Sequence, residues 1–315
     1  MMRRSAAPGQ APADWSADDK VTMYGHATSH AQVPTARARW SGLVRLKRAL
    51  ILLAAHGALL AGAAVMLLPF VWMLVTSARP ANEIFRGSLL PWPEHFHGWG
   101  HYYEALAYVP LVRFMLNGVL VCSGILAVQL LVAIPASYAL AKLRFGGERL
   151  LFYLVLAALC VPIQVTALPL YLGLARVGGL NSYFAMMLPF FLSVFAIFLL
   201  RQGFKTFPDD ILQAARLDGM SELEILWRIV VPSARSSIAA FAVFSLVAHW
   251  NDLYWPMIVI SDTQLAPPPL GMMFFATAET GSDYGALMAG ATVLTLPLVL
   301  IFLMARRRFI QGLTM

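Results

Sequence analysis

Six runs of apolar residues, each long enough to cross a lipid bilayer, constrain this chain more than any other feature. The hydrocarbon core of a bilayer is ~30 Å thick, and a helix needs roughly 20 residues to cross it. The runs fall at about 50–78, 114–141, 150–175, 183–200, 237–260 and 286–304. Backbone groups in lipid must find partners within the chain, so each run predicts a helix. The expected fold class is an all-α membrane protein with six transmembrane helices. Prolines such as Pro69, Pro135, Pro162, Pro189 and Pro297 fall inside the runs. Membrane helices packed on neighbours tolerate them. Composition agrees: hydrophobic residues make up 59% and charged residues 12%, a balance that soluble domains do not have.

The basic residues set the orientation. Of 23 Lys and Arg, eight precede the first run, three lie between the second and third, five between the fourth and fifth, and three after the sixth. Those 19 share one side; only Arg79, Arg86, Arg113 and Arg176 lie on the other. Both termini are therefore expected in the cytoplasm. The formal charge of +7 reads as a topology signal, which argues against a nucleic-acid partner. Residues 1–44 are polar and are expected to form a disordered leader. Residues 45–315 are expected to form one membrane domain. The first run starts too late and runs too long for a cleaved signal peptide. Cys122 and Cys160 lie within apolar runs without CxxC spacing and read as small buried hydrophobes.

On the opposite side, "FRGSLLPWPEHFHGWGHYYEAL" turns from Pro- and aromatic-rich to amphipathic, the pattern of a short interfacial helix. It holds His95, His97 and His101. No ligand cluster of usual metal spacing accompanies them, so solvated or stacking roles are expected and no metal site.

The longest polar stretch of the second half is "QAARLDGMSELEILWRIVVPSAR", within a loop at 203–235. Pro208, Asp209 and Asp210 suit a helix N-terminus. Ile211, Leu212, Ala215 and Leu217 carry that helix to Asp218–Gly219, where Gly can take the left-handed position. Ser221 and Glu224 form a capping box for a second helix. Leu223, Leu226, Trp227 and Val230 give it an apolar stripe, and Pro232 is expected to end it. Locally this is either an amphipathic loop lying on headgroups or a rigid elbow that docks into a soluble partner.

The stretch resembles the cytoplasmic "EAA" loop of ATP-binding-cassette importer permeases: EAA, three residues, Gly, nine residues, Ile, one residue, Leu-Pro. Here Gln213-Ala214-Ala215 are followed at those spacings by Gly219, then by Ile229 and by Val231-Pro232. Gln213 replaces the usual Glu and Val231 the usual Leu. The resemblance extends from about 50 to 314, through "LNSYFAMMLPFFLSVFAIFLLRQGFKTFPDD", "WNDLYWPMIVISD" and "RRRFIQGLT", to the sugar-importing, MalG-like branch. It implies the type I importer permease fold, with both termini cytoplasmic and the first loop helix acting as a coupling helix. The coupling residues would be Gln213, Ala214, Ala215, Asp218, Gly219, Ile229 and Pro232. It also implies a bacterial inner-membrane location and four partners: two ATPase copies, a second and different permease, and an external solute-binding protein. ATP and Mg would be used by the ATPase, with no cofactor on this chain.

The chain itself has no GxxxxGK[ST] loop, no HExxH pair and no evident Ser/His/Asp arrangement, so it is not expected to be an enzyme. Polar residues inside spans mark a candidate substrate path. The densest group is His249, Trp250, Asn251 and Asp252 with Tyr254, and Gln164 forms a second, smaller one. Helix–helix adhesion is the stronger reading of the first group. Asn117 and Gln129 read as lone interhelical hydrogen bonds, and His56 as a satisfied histidine. The alternative function is a self-sufficient secondary transporter. It would need an ion-coupling site and usually an internal repeat. No repeat is seen.

Overall fold

A computed structural model describes residues 36–84, 92–93, 95–108, 110–278 and 284–313. Every regular element among them is helical. The chain runs through α1 (Ala36–Thr76), α2 (Ala81–Ile84), α3 (Gly98–Tyr108), α4 (Leu111–Lys142), α5 (Glu148–Leu159), α6 (Ile163–Arg176), α7 (Tyr183–Met187) and α8 (Val194–Lys205). It continues through α9 (Asp209–Leu217), α10 (Glu222–Ile225), α11 (Val231–Ser233), α12 (Arg235–Trp250), α13 (Tyr254–Val259), α14 (Pro268–Ala278) and α15 (Tyr284–Leu313). Residues 1–35 of the expected leader lie outside the described residues; from Ala36 the chain is already helical.

Contacts divide the chain into two compact units, Met1–Met66 and Leu67–Met315. In the first, α1 exposes Leu53, Leu59 and Leu60, each 71% accessible, and Met66 at 78%. Such a surface needs lipid or protein around it.

Among the described residues, three helices are long and apolar enough to cross a membrane alone, within α1, α4 and α15; the number reaches six if each bent pair is one span. The bends interrupt runs in each of which one helix is expected. α5 and α6 meet at 94° around Pro162. α7, extended by a 3-10 turn at Leu188–Phe190, meets α8 at 47°. The 237–260 run is also interrupted: α12 stops at Trp250, and α13 starts after a three-residue break.

Two apolar cores hold the larger unit. One gathers Phe114, Val121 and Ile125 of α4 with Met186, Trp255, Leu270 and Ala289. The other gathers Ala133, Ile134 and Tyr138 of α4 with Leu200, Phe204, Leu212, Ile225, Leu226, Val230 and Phe241. Along α4 the cores are separated by Gln129, which is 3% exposed. Gln129 is no lone bond. Its Nε2 donates to Phe190 O (2.8 Å) and faces His249 Nε2 (3.2 Å), while Ser245 Oγ donates to its Oε1 (2.7 Å). Asn117 is likewise a hub, donating to Gln264 O and Ala266 O and accepting from Tyr183 Oη.

α3 forms where a short amphipathic helix is expected, with Ala105 and His101 buried and Trp99 82% exposed. Cys122 is buried, whereas Cys160 is exposed, at the end of a helix, α5, that buries none of its residues.

Candidate functional site

The polar loop folds as its local chemistry dictates. α9 starts after Pro208 with Asp209 and Asp210 in its first turn. Gly219 has φ +81°, the left-handed conformation that lets the chain reverse without a Cβ clash. Gly219 N–H bonds Arg216 O and Met220 N–H bonds Ala215 O, both at 3.1 Å. Ser221 and Glu224 make the reciprocal capping box and satisfy two helix-start donors. Pro232 behaves differently from expectation. The helix runs past it to Ser233 and breaks only at Ala234, by 78°. Leu226–Val230 form a π-turn just ahead of it. A wider turn removes the clash between a proline ring and the carbonyl four residues back.

The stripe expected on the second helix is split between two surfaces. Leu226 and Val230 are buried in the second core, whereas Leu223 (66%) and Trp227 (45%) remain exposed. On α9, Leu212 and Ala215 face that core while Ile211 (47%) and Leu217 (88%) point out. Gln213 and Ala214 are exposed beside them. The elbow therefore plugs one face into the bundle and offers a second apolar face outward. This excludes a loop merely resting by its whole stripe on another surface.

Polar clamps fix the elbow to α4. Lys142 Nζ donates to Phe207 O and to Asp209 Oδ1, both at 2.6 Å. Arg216 grips Glu222 through Nε (2.6 Å), and Tyr138 Oη donates to the same carboxylate at 2.6 Å. The hydrogen bond from Lys142 holds the Asp209 carboxyl below its ordinary value, and that from Arg216 does the same for Glu222. Arg201, at the end of α8, donates to Leu140 O and stacks 3.6 Å from the Phe152 ring centroid. Tyr138, Lys142 and Glu222 are the residues that reading the loop alone misses. Their signal was available, since Tyr138 and Lys142 stand four apart, on one face of a helix, at the end of the second apolar run. Of the coupling residues named from the motif, Ala215 is buried, Gln213, Ala214, Asp218 and Gly219 are exposed, and Ile229 packs against the second core.

The residues named for the substrate path do not come together. Trp250 is buried and its Nε1 donates to Leu294 O. Asn251 donates to Val247 O and ends α12. Asp252 Oδ1 accepts from Tyr254 N–H and so shapes the α12–α13 break. Gln164 is exposed on α6, and no hydrogen bond joins it to this group among the described residues. His249 separates from its sequence neighbour Trp250 and joins Gln129 and Ser245 instead.

Among the described residues no three His, Cys, Asp or Glu are grouped to hold a metal. His95 Nδ1 donates to Glu83, and His97 meets His101 edge-on at 5.0 Å.

Residues 133–314, more than half the chain and including the whole elbow, match the family of binding-protein-dependent transport system inner membrane components. The chain belongs to that family. Lactose transport system permease protein LacG of Rhizobium radiobacter is 31% identical over 270 residues, covering 86% of this chain and 97% of that one. Diacetylchitobiose uptake system permease protein NgcG of Streptomyces coelicolor is 29% identical, covering 80% and 84%. The sn-glycerol-3-phosphate transport system permease protein UgpE of Yersinia pestis is 28% identical, covering 82% and 94%. Among solved structures, a bacterial ABC transporter involved in import of the acidic polysaccharide alginate superposes with a TM-score of 0.70 at 19% identity. The superposition covers 89% of this chain and all of that one, and it shows the fold. The family makes this a multi-pass membrane permease subunit of an ABC importer. A self-sufficient carrier is not favoured.

Proposed function

We propose that this permease serves a sugar importer and couples to its engine through the Asp209–Pro232 elbow. Two ATPase copies, which use ATP and Mg, would take the elbow of this chain and that of a second, different permease. An external solute-binding protein would deliver the sugar, with both termini of this chain in the cytoplasm of a bacterial inner-membrane transporter. The basic asymmetry supports that orientation, and the lactose and diacetylchitobiose relatives support the sugar class. One observation carries the coupling role. The elbow is packed inward through Leu212, Leu226 and Val230 while Ile211, Leu217, Leu223 and Trp227 stay exposed. A part built to be pulled needs both a grip and an anchor.

Gln213, Ala214 and Asp218 would lie against the ATPase, and Gly219 sets the angle between the two helices. Ile229 and Pro232 pass displacement on to α12. Trp250, Asn251, Asp252, Tyr254 and Gln164 would act on the path indirectly, by shaping the helices around it. The test is co-purification of the chain with its ATPase. Gly219→Pro, which imposes negative φ on a left-handed residue, should abolish recovery of the ATPase. Trp227→Ala, an exposed change, should weaken recovery without loss of folded permease. Undiminished recovery with both variants would overturn the coupling assignment.

A further inference from the structure

We propose that the cavity at the α7–α8 kink is a subsite for a single neutral saccharide ring; this rests on the importer reading above. The cavity measures about 240 Å³, and its lining includes Gln129, Phe190, Ser193, Phe244, Ser245 and His249. Sites for drug-sized ligands run to ~300–1,000 Å³, so this one suits one ring. It lies at the level of Gln129, between the two apolar cores and well inside α4.

The lining has the two kinds of group that a sugar ring uses. Its apolar C–H faces stack on aromatic rings, and here Phe190 lies 4.5 Å from the His249 ring centroid while Phe195 and Phe244 pair at 4.8 Å. Its hydroxyls need donors and acceptors. One His249 nitrogen faces Gln129, and the other has no protein partner among the described residues. Ser193 Oγ accepts from Ala196 N–H at 3.1 Å, which leaves its own proton to donate. The kink makes this possible. By interrupting the helix it frees Phe190 O, which Gln129 takes, and turns Leu192 and Ser193 to the cavity.

Charge decides the substrate class. None of the residues lining this cavity is Lys, Arg, Asp or Glu. A phosphate or uronate brought here would shed water without gaining a cation to offset the loss. A neutral ring sheds hydroxyl hydration and recovers it on Ser193, His249 and Gln129. The chemistry therefore fits lactose- or chitobiose-like rings and opposes sn-glycerol 3-phosphate or alginate. Phe244 is 52% exposed, so its ring is available to a ligand and is not spent on the fold.

The test uses the complete complex in nanodiscs, with Cys122→Ala, Cys160→Ser and Leu192→Cys in this chain. A neutral thiol reagent is applied with lactose, N,N′-diacetylchitobiose or sn-glycerol 3-phosphate present. Either sugar should slow labelling severalfold, and the phosphate ester should leave it unchanged. Phe244→Leu, which keeps apolar bulk but removes the flat ring, should cancel protection while the complex still purifies. Absence of protection by both sugars, equal protection by the phosphate ester, or protection that survives Phe244→Leu would each overturn the subsite. ATPase recovery in the same preparations reads the importer assignment separately. Intact recovery without protection sinks only the subsite, whereas failure of the unsubstituted chain to recover ATPase sinks the reading beneath it.

Discussion

Removing the Glu222 carboxylate should loosen the elbow by an amount that the structure sets. That carboxylate accepts from Arg216 and from Tyr138 Oη. Tyr138 is 3% exposed, so Glu222→Ala strands a buried hydroxyl, at about 1–3 kcal/mol. The Arg216–Glu222 pair adds less, because its side chains are 38% and 41% exposed and water screens them to below ~1 kcal/mol. The sum runs from about 1 to 4 kcal/mol and centres near ~2.5 kcal/mol, a roughly 60-fold rise in local opening at ~1.4 kcal/mol per tenfold. Tyr138→Phe removes the hydroxyl itself and strands nothing buried, so it should cost only about 1 kcal/mol, roughly fivefold. Amide hydrogen exchange reads both variants at Gly219, Met220 and Ile225, whose N–H groups bond Arg216 O, Ala215 O and Ser221 O. Exchange at those amides should accelerate in that order of magnitude while amides in the middle of α4 hold. Equal effects of the two variants, or unchanged exchange in both, would refute the idea that Tyr138 and Glu222 latch the elbow to α4.

The Lys142–Asp209 clamp should respond to pH only in acid. Its carboxyl sits below the ordinary value because the ionised form is hydrogen-bonded, so its contribution is complete above that value and is lost as pH falls through the depressed one. Exchange at the start of α9 should be flat from pH 7 to ~5 apart from the intrinsic rate, rise only below ~4, and become pH-independent in Asp209→Asn. Gly118→Val should lower the yield of monodisperse protein, measured by size-exclusion chromatography. A Cβ at Gly118 already lies 2.7 Å from Pro268 Cδ and 3.1 Å from the Trp250 ring, and overpacking of this kind costs about 1–3 kcal/mol.

What the sequence discloses depends on how local the cause is. The elbow was legible almost residue by residue because its determinants act within four positions: Pro208 and the two acids, the left-handed Gly219, and the Ser221–Glu224 box. The spans were legible as apolar runs, but their bends were not. Mean hydropathy is blind to a break at Phe191–Ser193, ahead of which the Phe190 carbonyl is taken by Gln129, 61 positions away. Pro232 misled for a related reason, since a π-turn absorbs it without ending the helix. The polar group in the fifth span divides between partners, because adjacency in sequence is not adjacency in space, and the Trp250 bond to Leu294 is the helix–helix adhesion expected of it. Successive helical residues point about 100° apart, so His249 turns to Gln129 and Trp250 to Leu294. The period-four pair Ser245 and His249 was the better signal, and it sits on one face.

The division of α4 between two cores explains how a distant pull could reach a sugar. Below Gln129, the elbow and the ends of α4, α8 and α12 share one packed core through Tyr138, Phe204, Leu226 and Phe241, and packed cores move as units because they deform little. Above Gln129 a separate core gathers α4 with α7, α13, α14 and α15. Between them lie the kink of the fourth span and a layer of hydrogen bonds. Hydrogen bonds can exchange partners with sugar or water, and apolar packing has no such alternative. On the proposed reading the elbow displaces the lower core as a body, the strain concentrates at the Gln129–Ser245–His249 layer, and the saccharide subsite lies in a layer whose contacts can re-form as the gate moves.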